Sequence, residues 1–329
     1  MSQPKKLTAL ASFFILSGFF PSLSQAVVPA TSCLVNPTLT TTPTVSNIPI
    51  RTYNVCGVNV SAYIDGSYNH LSRSDLFVSG VQDRVFDIEQ NGPTFQQADL
   101  ILAKQPSAGL GGLTDILIGR DSNLFAPYGW ATITNSQQIA GTVLQAYLQY
   151  AIGSFTFIAG KFSSWAGAEY AYPAQDMNYS RAILYGYAEP GTFIGARGTY
   201  AFSDKLSFIA GLNNGWDNVR DYSRRKTIEL AVLYTPSPKY SFVLDGYSGG
   251  ERYVPRVSTG PMGIRNLIDF VANYNVTDKL TLAANYDHDT QTKALNSYGN
   301  IGSVTWQGLA AYIGYKFNDT WRGALRGEI

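Results

Sequence analysis

The sequence predicts an all-β protein, an antiparallel up-and-down transmembrane β-barrel of about 13 strands, and three observations carry that prediction. The first is a repeated hairpin. Tyr200 with Asp204 and Leu206, Tyr234 with Pro238 and Tyr240, Tyr274 with Asp278 and Leu280, and Tyr315 with Asp319 and Trp321 share one design. Each places a tyrosine, a turn former four positions on and a large apolar or aromatic residue at six. The second is strict alternation around those turns. Leu206, Phe208, Ala210 and Leu212 oppose Ser207, Gly211 and Asn213, and Leu280, Leu282, Ala284 and Tyr286 oppose Thr281, Asn285 and Asp287. Period two over about nine residues, with one wholly apolar face and one face that accepts charge, fits a barrel strand between lipid and water. A soluble sandwich also alternates, but its wet face is normally rich in Lys and Glu. Here that face is Gly, Ser, Thr and Asn with sparse Arg and Asp, and only 14% of the chain is charged.

The third observation is an export leader followed by no spanning helix. Lys5 and Lys6 precede an apolar run from Leu7 to Phe20, and Ser24-Gln25-Ala26 has the small-x-small form of a cleavage site, so residues 1–26 read as a signal peptide. Beyond Ala26 no apolar run reaches the roughly 18 residues that a membrane helix needs. A chain that is exported and membrane-bound without such a helix must cross with strands, closed so that no backbone edge meets hydrocarbon. The expected location is a Gram-negative outer membrane. Basic and acidic residues number 24 and 23, and loss of the two leader lysines keeps the balance near neutral, so no polyanion-binding field and no nucleic-acid partner is expected.

Residues 27–56 hold Pro29, Pro37, Pro43 and Pro49 among many threonines and show no periodicity; they read as a Pro/Thr-rich periplasmic lead to a barrel over 57–329. Cys33 and Cys56 are the only cysteines, and an oxidising periplasm favours a disulfide between them over two free thiols. The first strand is expected at 57–68, with Val58, Val60, Ala62 and Ile64 outward and Asn59, Ser61, Tyr63 and Asp65 inward. Strands follow at 95–104, 113–120, 142–150 and 155–162, the last pair joined by a tight Gly153-Ser154 turn. From Ser163 to Pro190 the alternation lapses, and this segment, with Glu169, Asp176, Arg181 and Glu189, reads as one long loop able to fold into the lumen. A strand over Ala182–Tyr187 is the alternative. Strands then recur at 192–202, 206–214, 226–235, 240–248, 264–275, 280–288, 305–317 and from 321. Short turns belong at the periplasmic end and long connections outside. That orientation makes Tyr150, Tyr200, Tyr234, Tyr240, Tyr274, Tyr315 and Trp321 a periplasmic aromatic girdle. Bacterial barrels have even strand numbers. The strand ending at Glu328-Ile329 lacks an aromatic terminus, so a C-terminally truncated fragment of a barrel of 14 or more strands is expected.

Several stretches are similar to one family. Phe95-Gln96-Gln97-Ala98-Asp99, Gly160-Lys161-Phe162 with Gly167-Ala168-Glu169, Asn178-Tyr179-Ser180-Arg181, Pro190-Gly191-Thr192 with Gly195-Ala196-Arg197, and Asn213-Asn214-Gly215-Trp216-Asp217 resemble the OmpL-like β-barrel porins of the outer membrane. The resemblance implies a porin-like barrel and no particular substrate.

The alternation itself points Lys161, Arg197, Glu229, Asp245, Arg265, Asp269, Asp287, Arg322, Arg326 and Glu328 inward, joined by Glu169, Asp176 and Arg181 if the long loop enters the lumen. A barrel of 14 or more strands is wider than side chains can fill. Such a wall is expected to line a diffusion channel for small hydrophilic solutes or ions, with opposed basic and acidic rows setting a transverse field. The plainer reading is that these charges pair across strands and neutralise one another. An adhesive barrel acting through loops that carry Trp130, Trp165, Trp216 and Trp306 is an alternative. A barrel hydrolase is a weaker one. It needs a histidine beside a nucleophile or water, and of the two histidines His288 has Asp287 and Asp289 on the opposite strand face. No His/Cys cluster marks a metal site, Asn213 to Asp217 fits turn formation, and no cofactor is expected. The implied partners are outer-membrane lipid, the transported solutes and the barrel-insertion machinery.

Overall fold

The computed structural model describes residues 36–38, 52–70, 84–86, 88–89, 92–125, 140–252, 261–295, 299–318 and 320–329. The leader 1–26, Cys33, Trp130 and Asp319 lie outside the described residues. Among the described residues no helix is long and apolar enough to cross a membrane.

Fifteen strands form one sheet in which every strand pairs antiparallel with its neighbours in sequence. Two short strands, β1 (Asn36–Thr38) and β2 (Thr52–Val55), lead into β3 (Val58–Asn69), β4 (Gly92–Lys104), β5 (Gly109–Gly119), β6 (Ala140–Ile152) and β7 (Phe155–Ser163). After a long interruption come β8 (Thr192–Ser203), β9 (Leu206–Asn213), β10 (Thr227–Ser237) and β11 (Tyr240–Arg252). β12 (Met262–Asn275), β13 (Leu280–Leu295), β14 (Ile301–Lys316) and β15 (Arg322–Glu328) complete the sheet. The thirteen strands from β3 onward are those the alternation marks.

β1 and β2 differ from the expectation of an unstructured lead. They are three and four residues long, too short to show a period. β2 is held to β3 by a two-residue turn in which Cys56 and Gly57 both have positive φ, 53° and 81°. Such a turn has the twist that antiparallel neighbours require, and glycine at its second position adopts it without strain. Cys56 is disulfide-bonded. Several strands also outrun their predicted ends: β11 reaches Arg252, β13 reaches Leu295 and β14 begins at Ile301. These extensions are polar, as in the pairs Thr290 with Thr305 and Arg265 with Gln291. Strand pairing therefore continues beyond the apolar band that the alternation detects.

Connections alternate in length. At one end the links are tight, as at 153–154, 204–205, 238–239, 276–279 and 317–321; at the other they run over 70–91, 120–139, 164–191, 214–226, 253–261 and 296–300. The tight end carries the aromatic rings. Tyr150, Tyr200, Tyr234, Tyr240, Tyr315 and Trp321 are exposed and Tyr274 is half-buried. Tyr240 stacks on Tyr274 with centroids 4.7 Å apart, and Tyr200 on Phe155 at 4.6 Å. Phe155, Phe202, Phe242 and Phe317 join this belt; sequence reasoning passed them over because they fall outside the repeated hairpin signature.

The two faces of the sheet differ as the alternation requires. Along β10 and β12 the outward Leu230 and Ile268 are 60% and 56% exposed, while Glu229 and Asp269 are fully buried. β1 and β15 do not pair among the described residues, yet the sheet curls into a barrel-like wall. The segment 164–191 shows this by touching both ends of the strand order: Tyr179 Oη donates to Asp65 on β3 at 3.1 Å, and Arg326 on β15 donates to the Arg181 carbonyl at 2.9 Å.

Placing a charge on the lipid face is expected to be costly. Ile268→Arg, near the middle of β12, should lower folding stability by about 2–4 kcal/mol, the cost of an arginine at the bilayer midplane. Urea titration of the chain folded into phospholipid vesicles measures this, and a change near zero would mean that this face does not meet lipid.

Candidate functional site

The segment between β7 and β8 contains no strand. A 3-10 turn at Pro173–Gln175 and a short helix, α1 (Ile183–Tyr187), replace the strand considered for Ala182–Tyr187. The helix forms because its N-terminal amides find distant acceptors. Glu169 Oε2 accepts from the Ala182 amide at 2.5 Å, and Glu328 Oε2 accepts from Ile183 at 2.6 Å. Two carboxylates thus do what a local capping side chain usually does.

The rest of the segment is bonded to the concave face of the sheet. Its neck closes through the Ser164 amide on the Gly191 carbonyl at 3.1 Å. Trp165 N donates to Tyr247 Oη at 3.1 Å, Gly167 N to Asp269 Oδ1 at 3.1 Å and Ala168 N to Asn285 Oδ1 at 3.0 Å, which fixes one side to β11, β12 and β13. Tyr172 Oη donates to Asp115 on β5. Irregular backbone is tolerated at membrane depth only inside protein or a wet cavity, and this segment has both kinds of neighbour.

Arg181 sits at its centre, buried, with Asp121 at 3.7 Å and Asp176 at 3.8 Å and its guanidinium 5.0 Å from the Phe86 ring. Its Nε and Nη2 donate to the Tyr170 and Ala171 carbonyls. Arg326 bridges segment and wall, pairing with Glu169 at 2.9 Å and Glu328 at 2.7 Å and donating to the Ser180 carbonyl. Arg326 thus converges on one knot with Glu169 and Arg181 of the segment, although it lies 145 residues beyond Arg181. Burial, reinforced by the Glu169 charge, pushes the Asp176 carboxyl well above the usual carboxylate range against the pull of Arg181.

The remaining wall residues form two different arrangements. Arg197 Nη2 contacts Glu229 Oε1 at 2.6 Å across Gly211, and its guanidinium lies 4.2 Å from the Phe162 ring; here charges do pair across strands. Lys161 donates to the Val143 carbonyl at 2.6 Å. Asp245, Asp269 and Asp287, in contrast, face one another in register on β11, β12 and β13, with no basic side chain paired to any of them among the described residues. Arg265 lies to one side, bonded to Gln291 at 2.6 Å and 4.8 Å from the Trp216 ring. Arg322 is half-buried on β15.

At the long-connection end a cavity of about 400 Å³ opens between the segment and the wall, lined among others by Glu189, Asp217, Arg265, Trp216 and Trp306. Two of the tryptophans considered for adhesion therefore line an interior space. Burial, then the charges of Asp287 and Asp269, push the Glu189 carboxyl well above the usual range. Sequence reasoning placed Glu189 in the loop without joining it to the aspartates, which lie far along the chain on β12 and β13. It also passed over Asp99 and Asp115, whose inward parity was legible on β4 and β5. His288 bonds Gln307 at 3.3 Å, while Asp287 and Asp289 lie buried on the opposite face.

A curled sheet of amphipathic strands with an inserted segment and a charged interior is the architecture of a porin-type barrel. The family described as putative beta-barrel porin-2, OmpL-like, matches residues 57–329. The chain belongs to this family. It is an outer-membrane barrel of the porin type, and lipid is the solvent of its exposed face. Among solved structures this OmpL-like porin is similar to the outer membrane channel DcaP of Acinetobacter baumannii, with 14% identity, 82% of this chain and 78% of that chain covered, and a TM-score of 0.48. It is also similar to Pseudomonas putida OprB (11% identity, 79% and 69% covered, TM-score 0.45). For OmpT of Vibrio cholerae in its trimer form the values are 15%, 73% and 82%, with a TM-score of 0.38. A comparison with curated proteins returns no match.

The Arg197–Glu229 pair is expected to behave as a buried ion pair. Arg197→Ala should cost about 3–5 kcal/mol by stranding Glu229 in the wall. Adding Glu229→Gln should restore most of that loss in the same unfolding titration. Equal stability of Arg197→Ala and the parent chain would show that water in the lumen already screens the pair.

Proposed function

We propose that the chain is a diffusion channel for small hydrophilic solutes and ions, with a preference for cations, and that the 164–191 segment forms its constriction. The observation that carries this reading is the charge of the interior. The fully buried charged side chains among the described residues include Asp245, Asp269, Asp287, Asp289 and Glu251 against few bases, of which Arg181 and Arg197 are paired. Carboxylates that line a passage select for cations by direct attraction. The width fits too, since barrels well beyond eight strands leave interior space. The segment narrows that space from both sides, as its bonds to β3, β5, β12 and β15 support.

The same reading assigns export to the leader 1–26 and membrane insertion to the barrel-insertion machinery. It includes no catalytic step: His288 and its flanking aspartates occupy opposite faces, which supports a non-enzymatic barrel. Selectivity in this scheme comes from the wall and the Arg181 knot together. The Arg181 guanidinium holds the segment folded and contributes positive charge at its centre.

Planar-bilayer recording with the purified full-length chain tests the proposal. Stepwise conductance in KCl with a reversal potential on the cation side is expected. Arg181→Ala should raise single-channel conductance by loosening the segment and should strengthen cation preference. Absence of conductance steps, together with no swelling of liposomes in small sugars, would sink the channel reading. Unchanged selectivity in both Arg181→Ala and Arg197→Ala would remove these two residues from the pore.

A further inference from the structure

We propose that Glu189, Asp269 and Asp287, with Asp245 beside them, form a binding site for a divalent cation of calcium size that ties the inserted segment to the β12–β13 wall. One carboxylate oxygen from each of Glu189, Asp269 and Asp287 lies within 4.8 Å of the others. Calcium takes about six to eight oxygen ligands, several of them carboxylate, whereas magnesium keeps much of its water and is usually held by only about one or two carboxylates. Three converging carboxylates with a fourth beside them fit the larger ion.

A separate observation points to a ligand. Asp245, on the adjacent strand and in register with Asp269, is 2% exposed, and both of its oxygens are buried without a hydrogen-bond donor. It shares the inward face with Asp269, its partner across the β11–β12 ladder, and Asp287 follows in the same row on β13. Both Glu189 oxygens and both Asp289 oxygens are buried in the same donor-free state. The donors that do reach the cluster are neutral: the Gly167 amide on Asp269 at 3.1 Å, and Asn285 Nδ2, which bonds Asp269 and reaches Asp287 at 3.3 Å. None of Glu189, Asp245, Asp269 and Asp287 forms an ion pair among the described residues. Several adjacent carboxylates without a compensating charge are costly to bury. A hard cation with many oxygen ligands supplies that charge, and the cavity lined by Glu189 supplies an entry path.

The geometry also explains Gly167. Its φ is +93°, and a Cβ there would overlap the Glu189 carboxylate. The two ends of the segment, at 167 and 189, therefore meet at the cluster, and an ion there would close the segment at its neck.

The test uses the full-length chain refolded in detergent and stripped with EDTA. Tb3+ replaces Ca2+ as probe, with sensitised emission from tryptophan; Trp306 lies directly across β14 from Asp289. Saturable emission that Ca2+ displaces, and that Mg2+ displaces far less well, is expected. Glu189→Gln, outside the strands, and Asp269→Asn/Asp287→Asn, within them, should each weaken Ca2+ competition by at least roughly 10–100-fold, the loss typical of supporting groups alone. Heat-modified gel migration reports whether each variant is folded, and if the double variant is not, Glu189→Gln decides. Emission that does not saturate, Mg2+ competing as well as Ca2+, or unchanged competition in a folded variant would overturn the site. Conductance is not part of this readout, so loss of the channel reading and loss of the ion site are separately visible.

Discussion

Backbone amides that enter hydrocarbon must find their partners within the protein, and this one requirement shapes the chain. It explains why fifteen strands pair in unbroken sequence order and why the long irregular stretch 164–191 lies on the concave side of the wall. The apolar outer rows follow from the same demand. Once the ladder satisfies the backbone, only the outward side chains meet lipid, and they are Leu, Ile, Phe and Tyr.

The interior is governed by a different balance. Charged groups there have lost most of their water, so each is matched or becomes a source of field. Arg181, Arg197 and Arg326 are matched, each to carboxylates of neighbouring elements. The aspartates of β11, β12 and β13 are not matched by basic side chains among the described residues. Pairing across strands and an opposed charge field therefore coexist in one wall, each confined to its own arc. Pairing on the β8–β10 arc makes that part of the wall electrically quiet. The field comes from the β11–β13 arc.

Much of this was legible in the sequence because period two is a direct imprint of a sheet between two solvents. The strands from β3 to β15, the alternation of tight and long connections and the inward parity of Asp245, Asp269 and Asp287 all follow from it. Most of what escaped depends on residues brought together from distant strands. α1 has no capping signal of its own because Glu328, 145 residues away, provides it. Likewise Glu189 shows no relation to Asp269 until the segment turns inward. The β2–β3 turn was missed for a local reason. Cys56 occupies a positive-φ position that sequence rules assign to Asn, Asp or Gly.

The Glu328 cap also makes the inserted helix depend on β15. A helix of five residues has little stability alone, and its amide partner arrives only when β15 has joined β14. Without β15 the segment keeps its contacts to β11, β12 and β13 but not its knot with Arg326. Docking of the segment and pairing of β15 are therefore energetically linked, so that whatever loosens that strand also loosens the filling of the interior.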